Sequence, residues 1–422
     1  MKIYILYVRN FTINKPEYIR DKYLYRNSIS NILIEVLSMN LKGIAKTFWL
    51  LVSVIVVIVI SVSTFYITQP TTTQTPSPSP IPIPTPTPTP TPTPKPTINI
   101  TDGVKHIVPL EKIVSGGPPK DGIPSIDNPK FVSAEEADSF LEEDDLVFGL
   151  FLGGVARAYP AKILVWHEIV NDNVNDKAVL VTFCPLCFTG AAFDRTIGGE
   201  TVEFGTSGKL YNSDLVMYDR KTDSYWSQVL GQAIVGELAG RVLKRIPLDH
   251  VTWRVWRNLY PDTVVLSTDT GFSRSYGVDP YGDYYTSPRI WFPVENEDER
   301  LHPKALTYGL VIASEAKAYL DEDIVSKGVI NDELGGVDLV IVGREDGPFR
   351  SFNRDVEERV LDFEIREGTI RDLQTGSEWD INGEAVSGEL KGTQLERVVG
   401  TVNFWFAWVA FYPDTGLYGV KG

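Results

Sequence analysis

Part of this chain recurs in order about 160 residues further on, and a unit that has to be built twice constrains the fold more than any other feature. Gly149, Ala156, Arg157, Ala158, Tyr159 and Asn171-Asp172 return 160 positions later as Gly309, Ala316, Lys317, Ala318, Tyr319 and Asn331-Asp332. After a one-residue shift, Phe193-Asp194-Arg195 matches Phe352-Asn353-Arg354, and Val202-Glu203-Phe204 matches Leu361-Asp362-Phe363. Gly236-Glu237-Leu238 matches Gly388-Glu389-Leu390. Trp253, Trp256, Tyr260, Pro261, Asp262 and Thr263 match Trp405, Trp408, Tyr412, Pro413, Asp414 and Thr415, all offset by 152. Ordered matches with small drifts indicate an internal duplication, and two copies are too few for a solenoid. Repeats at about 147–263 and 307–415 are expected to pair about a pseudo-twofold axis and share a core.

Each copy reads as strands. Residues 178–183 form an apolar run, 191–195 and 201–204 alternate, and Gly198-Gly199 between them reads as a hairpin turn. Further short strands fit 215–219, 224–228 and 233–237. Helical spacing is confined to 161–169 and 252–260, where apolar and aromatic residues fall at i, i+3 and i+4. The expected fold class is α+β, β-rich, with mostly antiparallel sheets in two duplicated halves. The matched tryptophans, Trp253 and Trp256 among them, are expected in the core.

Ahead of this body, 98–422, the sequence predicts three segments. Residues 47–67 are almost wholly apolar, long enough to span a bilayer as one helix, with no small-residue cleavage site behind them. Residues 1–46 carry eight Lys or Arg against three acids, which leaves about −20 of the chain's −15 net charge on the remainder. The positive-inside rule then places the basic tail in the cytoplasm and the acidic body outside the cell. Met39, just ahead of Lys42, Lys46 and the apolar run, is an alternative start. Residues 68–97 are Thr, Pro and Ser with little else, a polyproline stalk of roughly 90 Å at about 3.1 Å per residue. Its hydroxyls invite O-glycosylation, and Asn99-Ile100-Thr101 is an N-glycosylation sequon. An acidic exported body without a basic stripe disfavours nucleic acid as a partner.

The only two cysteines of the 422 residues stand in Cys184-Pro185-Leu186-Cys187, at the end of the 178–183 run. At this spacing two sulfurs either close a small disulfide ring or face one metal ion. The second copy has Arg344 and Gly347 at those positions, Lys327 in place of His167, and Val402 in place of His250. The framework repeats while the reactive side chains do not, so chemistry is expected in the first half and at its seam with the second. Of the four histidines, His167 lies on the predicted helix leading to the cysteine strand, and His302 opens the second copy.

Several strings occur in order: Ala156-Arg157-Ala158-Tyr159-Pro160, Trp166-His167-Glu168-Ile169-Val170-Asn171-Asp172, the cysteine tetrad, Gly205-Thr206-Ser207-Gly208-Lys209-Leu210-Tyr211-Asn212-Ser213-Asp214, and His302-Pro303-Lys304. Together, over roughly 105–415, they resemble the family catalogued as domain of unknown function 3179. The resemblance implies a prokaryotic protein, usually exported or membrane-anchored, and no established activity.

The residues leave three readings of the cysteine pair open. A thiol-based redox centre would use Cys184 and Cys187 with His167 moving protons, drawing on a redox partner outside the cell. The strand pattern after Phe188 argues against a thioredoxin fold, which needs the first Cys at a helix N-terminus. A metal centre, holding zinc, copper or iron, would need Cys184 and Cys187 completed by His167, His302 or a nearby carboxylate. A structural pair with no chemistry is the third. Gly205-Thr206-Ser207-Gly208-Lys209 lacks phosphate-loop spacing and reads as a turn from which Lys209, Ser213 and Asp214 line a pocket. The function expected is a membrane-anchored thiol-based or metal-dependent redox protein. The alternative is a surface-tethered module that captures a metal or small ligand without turnover.

Overall fold

The computed structural model describes residues 96–345 and 347–420, and within them the polypeptide is mostly antiparallel strand with a few short helices. The central strands of each large first-half sheet have counterparts in the second half, in the same order. One first-half sheet runs in the order Asp249–Thr252, Leu146–Leu152, Val155–Pro160, Val264–Leu266, with Phe131–Ser133 beyond; the corresponding second-half order is Thr401–Phe404, Leu306–Ile312, Glu315–Leu320, Gly416–Leu417. A parallel strand pairing, Val155–Pro160 with Val264–Leu266, recurs as Glu315–Leu320 with Gly416–Leu417. A second sheet, Arg245–Ile246, Thr189–Asp194, Lys177–Cys184, Ile169–Val174, corresponds to Arg397–Val398, Arg350–Asn353, Val337–Val342, Val329–Leu334. Four strands of a third, seven-stranded sheet, Phe204–Tyr211, Asp214–Asp219, Tyr225–Ser227 and Gln232–Val235, correspond to Phe363–Arg366, Thr369–Asp372, Glu378–Trp379 and Ala385–Ser387; Val114–Ser115, Val104–His106 and Asn99–Thr101 extend it at its edges.

The recurring residues are the ones that fix these sheets to each other. Asn171 receives the Phe204 amide and donates to the Phe204 carbonyl at 2.9 and 2.8 Å, and Asn331 does the same for Phe363 at 2.9 and 2.8 Å. A side-chain amide thus supplies both groups a neighbouring strand would offer, and leaves no buried backbone group unpaired. Asp172 accepts from Tyr159 and Arg157, and Asp332 accepts from Tyr319 and Lys317. The Trp226 indole donates to Asp219 and the Trp379 indole to Asp372, both at 3.0 Å. The helices Trp253–Leu259 and Trp405–Phe411 lay Trp256 and Trp408 flat on the sheet. A Cβ at Gly149 or Gly309 would come within 2.2 and 2.3 Å of those rings, so both positions exclude any side chain.

The halves meet along a seam. Asp249 of the first half is buried against Arg350 and Arg397 of the second, at 2.5 and 2.8 Å. Reciprocally, Thr189 donates to Asn403 at 2.8 Å, and the Phe404 amide donates to the Cys187 carbonyl at 2.9 Å. One core holds Cys184, Cys187, Met217 and Trp226 of the first half together with Phe404, Phe406 and Ala407 of the second. The connection between halves, 267–305, carries little regular structure beyond one 3-10 turn at Gly282–Tyr285, and folds Tyr284 into that same core.

Two local expectations change. The 161–169 helix is only Ala161–Leu164, because Glu168 takes φ 57°, a left-handed conformation no α-helix continues through. The 205–209 segment is not a turn but part of the Phe204–Tyr211 strand, with a bulge between Thr206 and Lys209. Gly208 supplies φ 70° there, where a Cβ would lie 2.2 Å from the Pro118 carbonyl. No helix among the described residues is long and apolar enough to cross a membrane. The expected basic tail, transmembrane run and nearly all of the stalk lie outside the described residues.

Candidate functional site

Strand Lys177–Cys184 turns into Thr189–Asp194 through Pro185-Leu186-Cys187-Phe188, and the Phe188 amide closes the turn on the Pro185 carbonyl. Phe188 takes φ 55°, so the chain reverses sharply and its ring stacks on Phe404 of the second half at 5.1 Å. Both cysteines are free thiols and both are buried. Opposite them comes the tip of the hairpin formed by Phe204–Tyr211 and Asp214–Asp219. Asn212 and Ser213 occupy it with φ 53° and 62°, the left-handed pair of a two-residue turn whose twist suits a hairpin. Hairpin tips are ordinarily solvated, but this one is buried. Asn212 donates to the Ala410 carbonyl at 3.0 Å and accepts from the Glu295 amide at 2.9 Å.

The buried tip delivers Asp214 to the sulfurs. Cys184 Sγ, Cys187 Sγ and an Asp214 carboxylate oxygen all lie within 4.8 Å of one another. Asp214 Oδ2 accepts from Ser227 Oγ and the Val229 amide, both at 3.0 Å, which leaves Oδ1 facing Cys187 at 3.9 Å. Cys187 also donates to the Ser213 carbonyl at 3.4 Å. From the connecting segment come Tyr284, whose hydroxyl donates to the Leu186 carbonyl at 3.0 Å, and Lys304. Lys304 as a whole residue is 1% exposed; its ammonium sits 3.0 Å from the Tyr284 ring centre and has the Phe404 and Phe406 rings each at 5.1 Å.

Burial governs the protonation of this group. It pushes the Cys187 thiol up, helped by Cys184 and Asp214 and opposed by Lys304. It carries Asp214 to about 7 against the hydrogen bonds that favour the carboxylate. It lowers Lys304 to about 7, with Cys187 acting the other way. Buried charges here are costly one at a time, and become tolerable when opposite charges share the site.

Beside the cluster lies a cavity of about 510 Å³. Leu186 between the cysteines and Leu215 next to Asp214 form part of its wall, with Glu168, Lys209, Trp166, Arg274, Tyr281 and Trp291. Of the sequence candidates, Cys184, Cys187, Asp214 and Ser213 come together at the cluster, and Lys209 lines the cavity. The two histidines stand apart from it. His167 is fully buried but bound at Nδ1 to the Pro124 carbonyl and at Nε2 to the Tyr276 hydroxyl, both at 2.7 Å, and burial lowers its pKa. His302 is exposed and accepts from the Lys304 amide. Of the completing groups expected, it is the nearby carboxylate, Asp214, that stands with the sulfurs, and the Lys304 ammonium is an addition to the set. Lys304, Tyr284 and Glu168 join the site region without a sequence signal of their own, although Lys304 and Glu168 lie within one or two residues of His302 and His167.

Fold and site define a two-half β protein with a buried dithiol–carboxylate cluster on the seam, whose neighbours Leu186 and Leu215 wall a ligand-sized cavity. The chain belongs to the family described as protein of unknown function (DUF3179), whose model matches residues 120–415. No curated protein and no solved structure matches it.

Proposed function

We propose that Cys184, Cys187 and Asp214 hold one metal ion, and that the protein is a metal-dependent one whose centre serves a small ligand in the adjoining cavity. The observation that carries this reading is the convergence of two sulfurs and a carboxylate oxygen within 4.8 Å. A tetrahedral zinc ion, with sulfur at about 2.3 Å and oxygen at about 2.0–2.2 Å, needs donors spaced roughly 3.5–3.8 Å apart, so only small side-chain adjustments are called for. Two thiolates with one carboxylate suit zinc best, and iron next; copper(I) has less use for the oxygen. Three protein ligands with a position left for water or substrate is the catalytic rather than the structural pattern.

Charge balance supports the same reading. Two thiolates and a carboxylate bring three negative charges, and a divalent ion with the Lys304 ammonium brings three positive ones, giving a neutral buried site. Thiol–disulfide exchange fits less well, since it needs an accessible sulfur with a depressed pKa, and Cys187 is fully buried with its thiol pushed up. The matched strand orders support descent of the two halves from one duplicated unit. The basic tail, apolar run and stalk support a body tethered outside the cell by one membrane helix. Metal analysis of the purified full-length chain tests the centre. About one zinc per chain is expected, falling at least tenfold in Cys187→Ser and severalfold in Asp214→Asn. Wild-type protein without stoichiometric metal would refute it.

A further inference from the structure

Glu168 stands at a backbone position that the other half fills with glycine. Its counterpart 160 residues on is Gly328, and both take left-handed backbone, φ 57° and 71°. Glycine adopts that conformation freely, whereas a glutamate there stores strain of order 1 kcal/mol. The side chain compounds the cost. Glu168 is 7% exposed, and among the described residues no hydrogen-bond donor or cation reaches its carboxyl, which lines the cavity. A strained, buried, unpartnered carboxyl does nothing for the fold, as Gly328 demonstrates in the other half, so it points to something that enters the cavity.

The rest of the wall says what. Lys209 and Arg274 both line the cavity, and among the described residues neither makes an ion pair; Glu168 is the only acid in the wall. This is a cationic lining in a chain of net charge −15. Trp166, Tyr281 and Trp291 add aromatic surface, with Tyr281 and Trp291 stacked at 5.9 Å. Unpaired cations beside aromatic faces match a ligand with one anionic group on a flat apolar body. Burial raises Glu168 to about 8, which equips it to donate a hydrogen bond instead of repelling an anion.

We propose that this cavity binds a small organic anion, its carboxylate or phosphate held by Lys209 and Arg274, its apolar body against Trp166, Tyr281 and Trp291, and a polar group paired with Glu168. As the ligand side of the proposed metal centre, the inference rests on that reading for its purpose, and its test has a separate readout. Benzoate, phenyl phosphate and the uncharged benzamide are titrated by calorimetry into the full-length chain in detergent, with bound zinc measured on the same samples. At least one of the two anions should saturate, and which one does identifies the anionic group; benzamide should bind at least about tenfold more weakly. Arg274→Ala, at an exposed position, and Lys209→Ala should each weaken the anion about tenfold while leaving zinc content unchanged. Failure of both anions to saturate, or equal affinity in the two variants, overturns the anion site whatever the zinc result. Absence of zinc with anion binding intact overturns the metal centre instead.

Discussion

The two halves share a framework and differ in the length of one hairpin. In the first half, strands of eight and six residues, Phe204–Tyr211 and Asp214–Asp219, carry the tip into the seam, where Asn212 and Ser213 are buried and Asp214 meets the cysteines. In the second, strands of four residues each, Phe363–Arg366 and Thr369–Asp372, end in an exposed Glu367-Gly368 tip. The strand ahead of the turn differs as well, reaching Cys184 in the first half and stopping at Val342 in the second. One half thus gathers the candidate cluster, by longer strands, and places a strained Glu168 where Gly328 suffices in the other. The framework residues recur in both halves, while the cysteine turn and the extended hairpin that gather the candidate cluster belong to the first alone.

If that division is right, framework substitutions should cost alike in both halves. Trp256→Ala and Trp408→Ala are each expected to lose about 3–5 kcal/mol by urea unfolding, since each empties the space over its glycine. Indifference at one site would mean the halves are not built alike. Asn171→Ala and Asn331→Ala should each lose about 1–3 kcal/mol, because the Phe204 and Phe363 backbones lose both partners.

The smallest effect is the most discriminating. Below about pH 4.5, where the carboxyl is protonated in both the folded and unfolded chain, Glu168→Gly should stabilise the protein by about 1 kcal/mol through relief of the left-handed strain, while Gly328→Glu should destabilise it by a similar amount. The pH dependence gives a second sign. Glu168 has its folded pKa raised from 4.5 to about 8, so the folded state holds its proton more tightly than the unfolded chain. Its contribution is fully present below about pH 4.5 and is lost as pH rises through about 8. The stability gap between Glu168→Gly and wild type should therefore widen over that interval. A gap that stays flat with pH would show that the carboxyl is not held protonated by burial.

Much of the framework was legible, because a residue that fixes a sheet is needed in both halves: the Asn-Asp pairs, the Trp-x-x-Trp helices and the glycines beneath them all recur. The cysteine turn was legible by its absence from the second copy. The hairpin extension was not, since Gly205 and Gly208 read locally as turn formers, and only the tertiary contact of 118–119 against Gly208 shows a bulged strand. Lys304 and Tyr284 escaped because they reach the cysteines from the connection between halves, which has no periodicity to read. The histidines drew notice on residue type, yet the Pro124 carbonyl and the Tyr276 hydroxyl already satisfy His167.

The central claim is that one half alone carries a metal centre, made of two sulfurs and a carboxylate. The X-ray absorption spectrum at the zinc edge of the full-length protein tests it most directly. The account predicts two sulfur neighbours at about 2.3 Å with oxygen at about 2.0–2.2 Å, and loss of one sulfur in any zinc that Cys187→Ser retains. A stoichiometric zinc ringed only by nitrogen and oxygen, or a spectrum that Cys187→Ser leaves unchanged, would contradict it.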